Sequence, residues 1–307
     1  MKRLLLVLLV CSVIGPAFPA AESSSSKPLE GSYPIILAHG ILGVDSQDFA
    51  GLIHYWGGVD KYLRDQGVPV YAPSMNPISS SEERGFELKR KVRYWMAAND
   101  MSKVNIIGHS QGGLTARYMA TNLGMKSKVA TITSVNTPHK GTPFADIALD
   151  VIPNWIKPYA APLINNLSER LYGDRNNRSH DILAMGNAFR QSYASVFNEN
   201  TPNVRSIRYY SYGSHMKFAD PVQHPIMFLV YPVTYLGGKH YGLSGKNDGI
   251  VPIESHRWGT YKGGPSTPWY STGVDHIQAT NWAYCGQAWY DVNGYYLSIA
   301  KNAKNNQ

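Results

Sequence analysis

Cysteine is nearly absent from this chain. Only Cys11 and Cys285 occur in 307 residues, and Cys11 falls inside an N-terminal apolar run that reads as a cleaved leader. Cys285 is then left without an intrachain partner, so neither a disulfide framework nor a cysteine zinc site can be built. Charge is scarce too, at 16% of residues against roughly a quarter in an average protein. The formal net charge is +8, and Lys2 and Arg3 supply two of those positive charges. Basic residues are scattered, apart from Arg84, Lys89, Arg90, Lys91 and Arg93 on one expected helix, where they read as a solvated face. A nucleic-acid partner would call for a broader basic surface interleaved with exposed aromatics, and none is expected. No apolar run is long enough to span a bilayer.

What is present begins with Lys2 and Arg3, the apolar residues 4–14 and the small-residue stretch 15–21. This is the three-part layout of a secretory signal, and residues 1–21 are expected to be removed on export through the periplasm to the medium. Residues 22–307 are expected to form a single domain. Strand and helix signals alternate through its first half. Residues 35–38 form a buried apolar strand ending at His39-Gly40, and residues 68–72 form a second. The run Ser79-Ser80-Ser81-Glu82-Glu83 holds overlapping capping boxes that start a helix reaching about Ala98. A strand at 104–107, a helix at 114–123 and a β-branched strand at 129–135 come next. Such alternation predicts an α/β fold, a mostly parallel sheet covered by helices on both faces. Catalytic groups then belong at the carboxyl ends of the strands.

Residues 144–200 break this pattern. Apolar residues there recur at helical spacing, interrupted by Pro158 and Pro162. They predict an inserted helical cap, with Trp155, Ile156, Leu163 and Leu167 as the apolar face of a lid.

The most informative stretch is Gly108-His109-Ser110-Gln111-Gly112, set between a buried strand and a helix. G-x-S-x-G in that context is a nucleophile elbow, a turn so tight that only small residues fit two positions either side of the serine. Ser110 is therefore the candidate nucleophile. A serine hydroxyl is a weak nucleophile at neutral pH, so it needs a base, and the base needs an orienting acid. In elbow enzymes the chain order is serine, acid, histidine. Asp248, in an Asn-Asp-Gly turn expected to be flexible and outward-facing, is the candidate acid. His276 is the candidate base, with His256 as its rival, expected to share a loop with Asp248. Asp275 adjoins His276, but neighbouring side chains point apart, which makes it a poor triad acid. The oxyanion of a tetrahedral intermediate requires fixed N–H donors. The backbone N–H groups of Gln111, directly after the nucleophile, and Ile41, in the loop after the first strand, are the candidates.

Together, residues 35–43 (IILAHGILG), residues 104–118 (VNIIGHSQGGLTARY), Thr137-Pro138-His139-Lys140-Gly141, Asn247-Asp248-Gly249 and His276 resemble the secreted bacterial true lipases of the Pseudomonas/Burkholderia/Proteus type. The likeness runs from about Tyr33 to beyond His276. It implies an α/β-hydrolase fold, triacylglycerol hydrolysis without a required cofactor, a mobile lid and export through a secretion apparatus. Carried over position by position, it supports Ser110, Asp248 and His276 as the triad with Ile41 and Gln111 as oxyanion donors. Substrate would be a lipid or other ester at an oil–water or membrane surface, acted on by a monomer. Phospholipase, acyltransferase or short-chain esterase activity are the alternatives within the same chemistry, and a silent lipid-binding protein is the alternative outside it.

Two departures from the resembled family matter. That family holds a structural calcium through two aspartates near the histidine loop. Asp220 matches one of them, but Gln278 stands where the second belongs, and Trp282 replaces a glutamine four residues on. A hard cation wanting several oxygen ligands is poorly served by that set, so no metal ligand is assigned and calcium is expected to be absent or weak. The disulfide present in some members cannot form. The aromatic and polar tail from Ala288 finds no counterpart.

Overall fold

The computed structural model describes residues 27–43, 54–151 and 180–307, with isolated positions between 154 and 169. Residues 1–26, with the segment expected to be a leader, and the lid candidates Trp155, Ile156, Leu163 and Leu167 lie outside the described residues.

Apolar runs that alternate with amphipathic segments fold here into a six-stranded sheet in the order β2-β1-β3-β4-β5-β6. Its strands are β1 (Ile35–Ala38), β2 (Val70–Tyr71), β3 (Val104–His109), β4 (Val129–Val135), β5 (Arg208–Tyr212) and β6 (Thr260–Tyr261). All neighbouring pairs are parallel, with Ile36 opposite Ile106 and Ile106 opposite Ile132 at the centre. Every residue of β1, β3 and β4 is buried. That is why these segments read as continuous apolar runs rather than alternating ones: helices cover both faces of a parallel sheet. The period of two still sorts the side chains. Ile35, Leu37 and Ile107 enter one core with Val59, Leu63, Tyr296 and Ile299. Ile36, Ala38 and Ile106 enter the other with Leu88, Val92 and Met119.

The first core is roofed by α1 (Val59–Asp65) and α8 (Val292–Asn305), the second by α2 (Ser81–Ala98) and α3 (Gln111–Asn122). Helix α2 begins where its capping box places it, with the Ser80 hydroxyl accepting from the Glu83 N–H at 3.2 Å. Helix α3 starts three residues earlier than its apolar pattern suggests, because Ser110 itself is the residue before its first turn. Strands β5 and β6 and helix α8 were not foreseen. The unmatched C-terminal tail becomes α8, whose Tyr295, Tyr296, Ile299 and Ala303 pack inward.

An expectation about α2 is overturned. Arg84 belongs to no solvated face: it is wholly buried, at 0% exposure. Arg84, Leu88 and Val92 recur every fourth residue along the inward stripe of α2, and all three are buried.

Between β4 and β5 the described residues contain α4 (Pro143–Val151), α5 (Ile182–Asn187) and α6 (Gln191–Asn200). Helix α7 (Met227–His240) comes after β5 and packs against α4. No helix of the described residues is long and apolar enough to cross a membrane.

Candidate active site

Strand β3 runs to His109 and the chain then reverses through Ser110 into α3. Ser110 takes φ 54° and ψ −130°, a backbone conformation that residues other than glycine seldom adopt, and it marks stored backbone strain. Two glycines make the turn feasible. A Cβ on Gly108 would stand 2.6 Å from backbone atoms of Gly112 and Gly113, and one on Gly112 would stand 2.0 Å from the Ala38 carbonyl oxygen. The Ser110 N–H donates to the Val135 carbonyl at 3.0 Å, which ties the turn to the end of β4.

The fold brings Ser110, His276 and Asp248 together from far apart in sequence. His276 Nε2 lies 2.9 Å from Ser110 Oγ, and His276 Nδ1 lies 2.7 Å from Asp248 Oδ2. All three are buried. The outward-facing turn expected around Asp248 is corrected here. Asp248 is fully enclosed, because its carboxylate gathers donors from three directions. Oδ1 accepts from the Ile250 and Val251 N–H groups at 3.1 and 2.8 Å, and Oδ2 accepts from Asn136 Nδ2 at 2.8 Å as well as from His276. Burial by itself would raise the Asp248 pKa. The imidazoles of His276 and His256 more than offset that and hold the carboxyl well below the usual carboxylate range.

His256, the rival base, is also buried, but it faces the acid rather than the serine. Its Nε2 lies 3.2 Å from Asp248 Oδ2, too poorly aligned for a hydrogen bond. Asp275 points away from the site, to His224 Nδ1 at 3.0 Å.

Gln111 opens α3 directly after the nucleophile. Ile41 is next to Gly40, whose backbone comes so close to the nucleophile that a Cβ there would sit 3.0 Å from Ser110 Oγ. The loop that carries Ile41 is strapped from beneath by Arg84. Its guanidinium donates to the carbonyls of His39 at 2.5 Å and Gly40 at 3.0 Å, and to that of Asn76. Burial pulls the Arg84 pKa down to about 10, which leaves it charged at neutral pH. From the other side, Tyr55 Oη accepts from the Gly40 N–H at 2.7 Å and donates to His109 Nδ1 at 2.6 Å. Burial lowers the pKa of His109 well below 6.5, in keeping with a neutral imidazole that can accept. Sequence reasoning missed Arg84, Tyr55 and Asn136. The fourfold spacing of Arg84, Leu88 and Val92 was a usable signal for the first; nothing local distinguishes the other two.

The residues matched to a calcium site do not fit a hard cation. Asp220 Oδ1 is occupied by the N–H groups of Val222 and Gln223, and Oδ2 by the Thr272 hydroxyl. Gln278 turns its amide nitrogen to the Gln223 carbonyl at 2.5 Å. The imidazole of His224 lies between Thr272 and Asp275, a nitrogen where an oxygen cage would be required. Among the described residues no group of three or more His, Cys, Asp or Glu could hold a metal ion.

Beside the acid loop, α7 is mostly apolar up to its basic last turn of Lys239 and His240, and Thr234 Oγ1 fastens it to the Gly249 carbonyl at 2.7 Å. Leu229 and Leu236 on this helix are 67% and 66% exposed, and Val222 and Phe218 before it are also open to solvent.

The chain belongs to the alpha/beta hydrolase fold family, whose pattern matches residues 33–257. It is similar to a triacylglycerol lipase of Burkholderia plantarii, 34% identical over 195 residues that cover 62% of this chain and 52% of the relative. It is likewise similar to a triacylglycerol lipase of Pseudarthrobacter phenanthrenivorans, 34% identical over 178 residues that cover 56% and 54%. The chain thus spans about half the length of these curated relatives. Among solved structures, the Staphylococcus hyicus lipase superposes with a TM-score of 0.65 at 18% identity, covering 94% of this chain and 98% of that one. At such low identity this likeness speaks for the fold alone.

Proposed function

We propose that this protein is a serine carboxylic-ester hydrolase acting on lipids, a triacylglycerol lipase. The observation that carries the reading is the line from Ser110 through His276 to Asp248, with separations of 2.9 and 2.7 Å, at a strained strand-to-helix turn. In this mechanism His276 Nε2 takes the Ser110 proton as Oγ attacks the ester carbonyl. Asp248 accepts from Nδ1–H, which holds the imidazole in the right tautomer and stabilises its cation. The N–H groups of Ile41 and Gln111 receive the oxyanion. The imidazolium protonates the departing alcohol, and an acyl-enzyme remains on Ser110. Water, deprotonated by the same imidazole, then releases the fatty acid and restores the serine. No metal or organic cofactor is needed for these steps.

The exposed apolar residues of α7 favour a lipid surface over a small soluble ester as the working environment, since apolar patches of this kind mark places where a protein meets an apolar partner. Residues 22–307 form one catalytic domain in this reading, working as a monomer, with residues 144–200 as its cap. The basic and apolar start of the chain supports export from the cell.

Hydrolysis of short- and long-chain esters by the purified chain and by Ser110→Ala tests the reading. Loss of turnover by at least three orders of magnitude on substitution, with unchanged circular dichroism, is expected. Substantial residual activity in Ser110→Ala would sink the nucleophile assignment, and activity confined to short soluble esters would favour an esterase.

A further inference from the structure

His276 sits in a turn outside the named strands and helices, and main-chain bonds to a neighbouring segment hold the residues before it, Lys217 N–H to the Thr272 carbonyl at 2.7 Å and Val274 N–H to the His215 carbonyl at 3.2 Å. Its own backbone has one tie to the acid loop, the His276 N–H to the Asp248 carbonyl at 2.8 Å. Its sequence neighbours, however, are bonded in unusual number to the turn at 220–224. Asp275 Oδ2 accepts from His224 Nδ1 at 3.0 Å. Thr272 donates its N–H to Gln223 Oε1 at 2.8 Å and its hydroxyl to Asp220 Oδ2 at 3.2 Å, while His224 Nε2 stands 3.1 Å from that same hydroxyl oxygen. Gln278 donates to the Gln223 carbonyl at 2.5 Å. The free oxygen of Asp275 is used locally, accepting from the Ile277 and Gln278 N–H groups at 3.0 and 2.8 Å. His224 is wholly buried and Asp275 nearly so. A carboxylate and an imidazole enclosed together and fully bonded are hard to part, because separating them leaves buried polar groups unpaired.

We propose that His224 is a positioning residue for the reaction: through Asp275, and with Thr272, Asp220 and Gln278 beside it, it staples the loop bearing His276 to the 220–224 turn. The staple is made of protein alone, in the place where the resembled family relies on calcium. Gln278, together with His224, makes the arrangement self-consistent, since an amide and an imidazole supply donors beside the carboxylates of Asp220 and Asp275. This inference rests on the reading of the site as an ester hydrolase. It adds that the geometry of His276 is indifferent to calcium and dependent on His224.

The test uses a soluble short-chain ester with the purified chain, His224→Leu, His224→Gln and Thr272→Val, each assayed with chelator and with added calcium chloride. The unsubstituted chain should keep its rate within about twofold under both additions. His224→Leu should lower kcat by about tenfold with KM within about twofold, as expected when a catalytic group is misplaced rather than substrate binding lost. His224→Gln, whose amide can again donate to Asp275, should recover most of that loss, which a merely structural role would not require. Thr272→Val keeps the side-chain shape, and it should show the same split at about threefold should His224→Leu fail to fold. A wild-type kcat in His224→Leu or, failing its folding, in Thr272→Val would overturn the proposal. So would inactivation by chelator that calcium reverses. Should the unsubstituted chain turn over no ester at all, the hydrolase reading falls, and melting decides the staple separately. A midpoint lowered by His224→Leu but not by chelator supports it; an unchanged midpoint overturns it.

Discussion

The nucleophile side of the site and the acid–base side are held by different means. Ser110 stands where a fully buried strand turns into a helix, and its position is set by backbone hydrogen bonds and two glycines that let main chains touch. Asp248 and His276 stand on connections outside the named strands and helices, where a few isolated main-chain bonds are supplemented by side chains: Asn136 on Asp248, and Gln278 and His224 on Asp275 beside His276. The first arrangement is local and repeats a supersecondary motif. The second assembles partners as much as 112 residues apart, as between Asn136 and Asp248. The difference teaches where each half is vulnerable. The elbow should fail through backbone sterics and the loops through the loss of single donors.

The strongest test of the contrast is Asp248→Asn. It removes the charge that orients His276 and turns an amide N–H toward groups that themselves donate, so kcat should fall on the order of 10³- to 10⁴-fold and the melting midpoint should drop by a few degrees. Steady-state kinetics and a thermal melt on one sample would check it, and a collapse of the fold would mean that the loops rely on that carboxylate for stability as well.

Gly112→Ala attacks the other half. Its new Cβ would fall 2.0 Å from the Ala38 carbonyl oxygen, so β1 and α3 must separate, at a cost on the order of 3 kcal/mol. A melting midpoint lower by roughly 5–10 °C is expected. An undisturbed midpoint would show that the elbow is less tightly closed than the contact implies.

A smaller effect should appear with pH. Burial holds His39, His109 and His139 well below their ordinary value of 6.5. Between 6.5 and those lower values the unfolded chain binds more protons than the folded one, so stability falls as pH drops from about 6.5, by up to about 1.4 kcal/mol per pH unit for each histidine. Asp248 adds nothing in this window. Its depressed pKa stabilises the fold above the ordinary carboxylate value of 3.8, and that contribution is lost only as pH falls below it. Denaturant titrations at pH 7.5 and 5.5 would measure the slope, and equal stabilities would contradict neutral buried imidazoles.

Much of the first half of the chain was legible because its signals are local. Residues 35–38 and 129–135 announce their strands by unbroken apolar or β-branched composition, and Ser80 with Glu83 announces α2. The candidate serine, acid and histidine were legible as well, through the elbow motif and the chain order of acid then histidine downstream of it. Strands β5 and β6 were not, because Arg208–Tyr212 carries tyrosines and a serine in place of aliphatic residues and Thr260–Tyr261 is only two residues long. Arg84 was misjudged because a guanidinium counts as polar on any scale; its burial depends on three carbonyl oxygens that only the folded chain brings to it.

By itself, the sequence determined the alternating architecture, the strained turn at Ser110 and the candidate roles of Asp248 and His276, since each is written in residues adjacent along the chain or in a fixed order. Tertiary structure alone decided that Asp248 is buried, that His256 lies against that acid, and that His224 meets Asp275. Those outcomes depend on which loops the sheet brings together. Hydrogen bonds between such loops are set by distance in space, which local patterns do not encode.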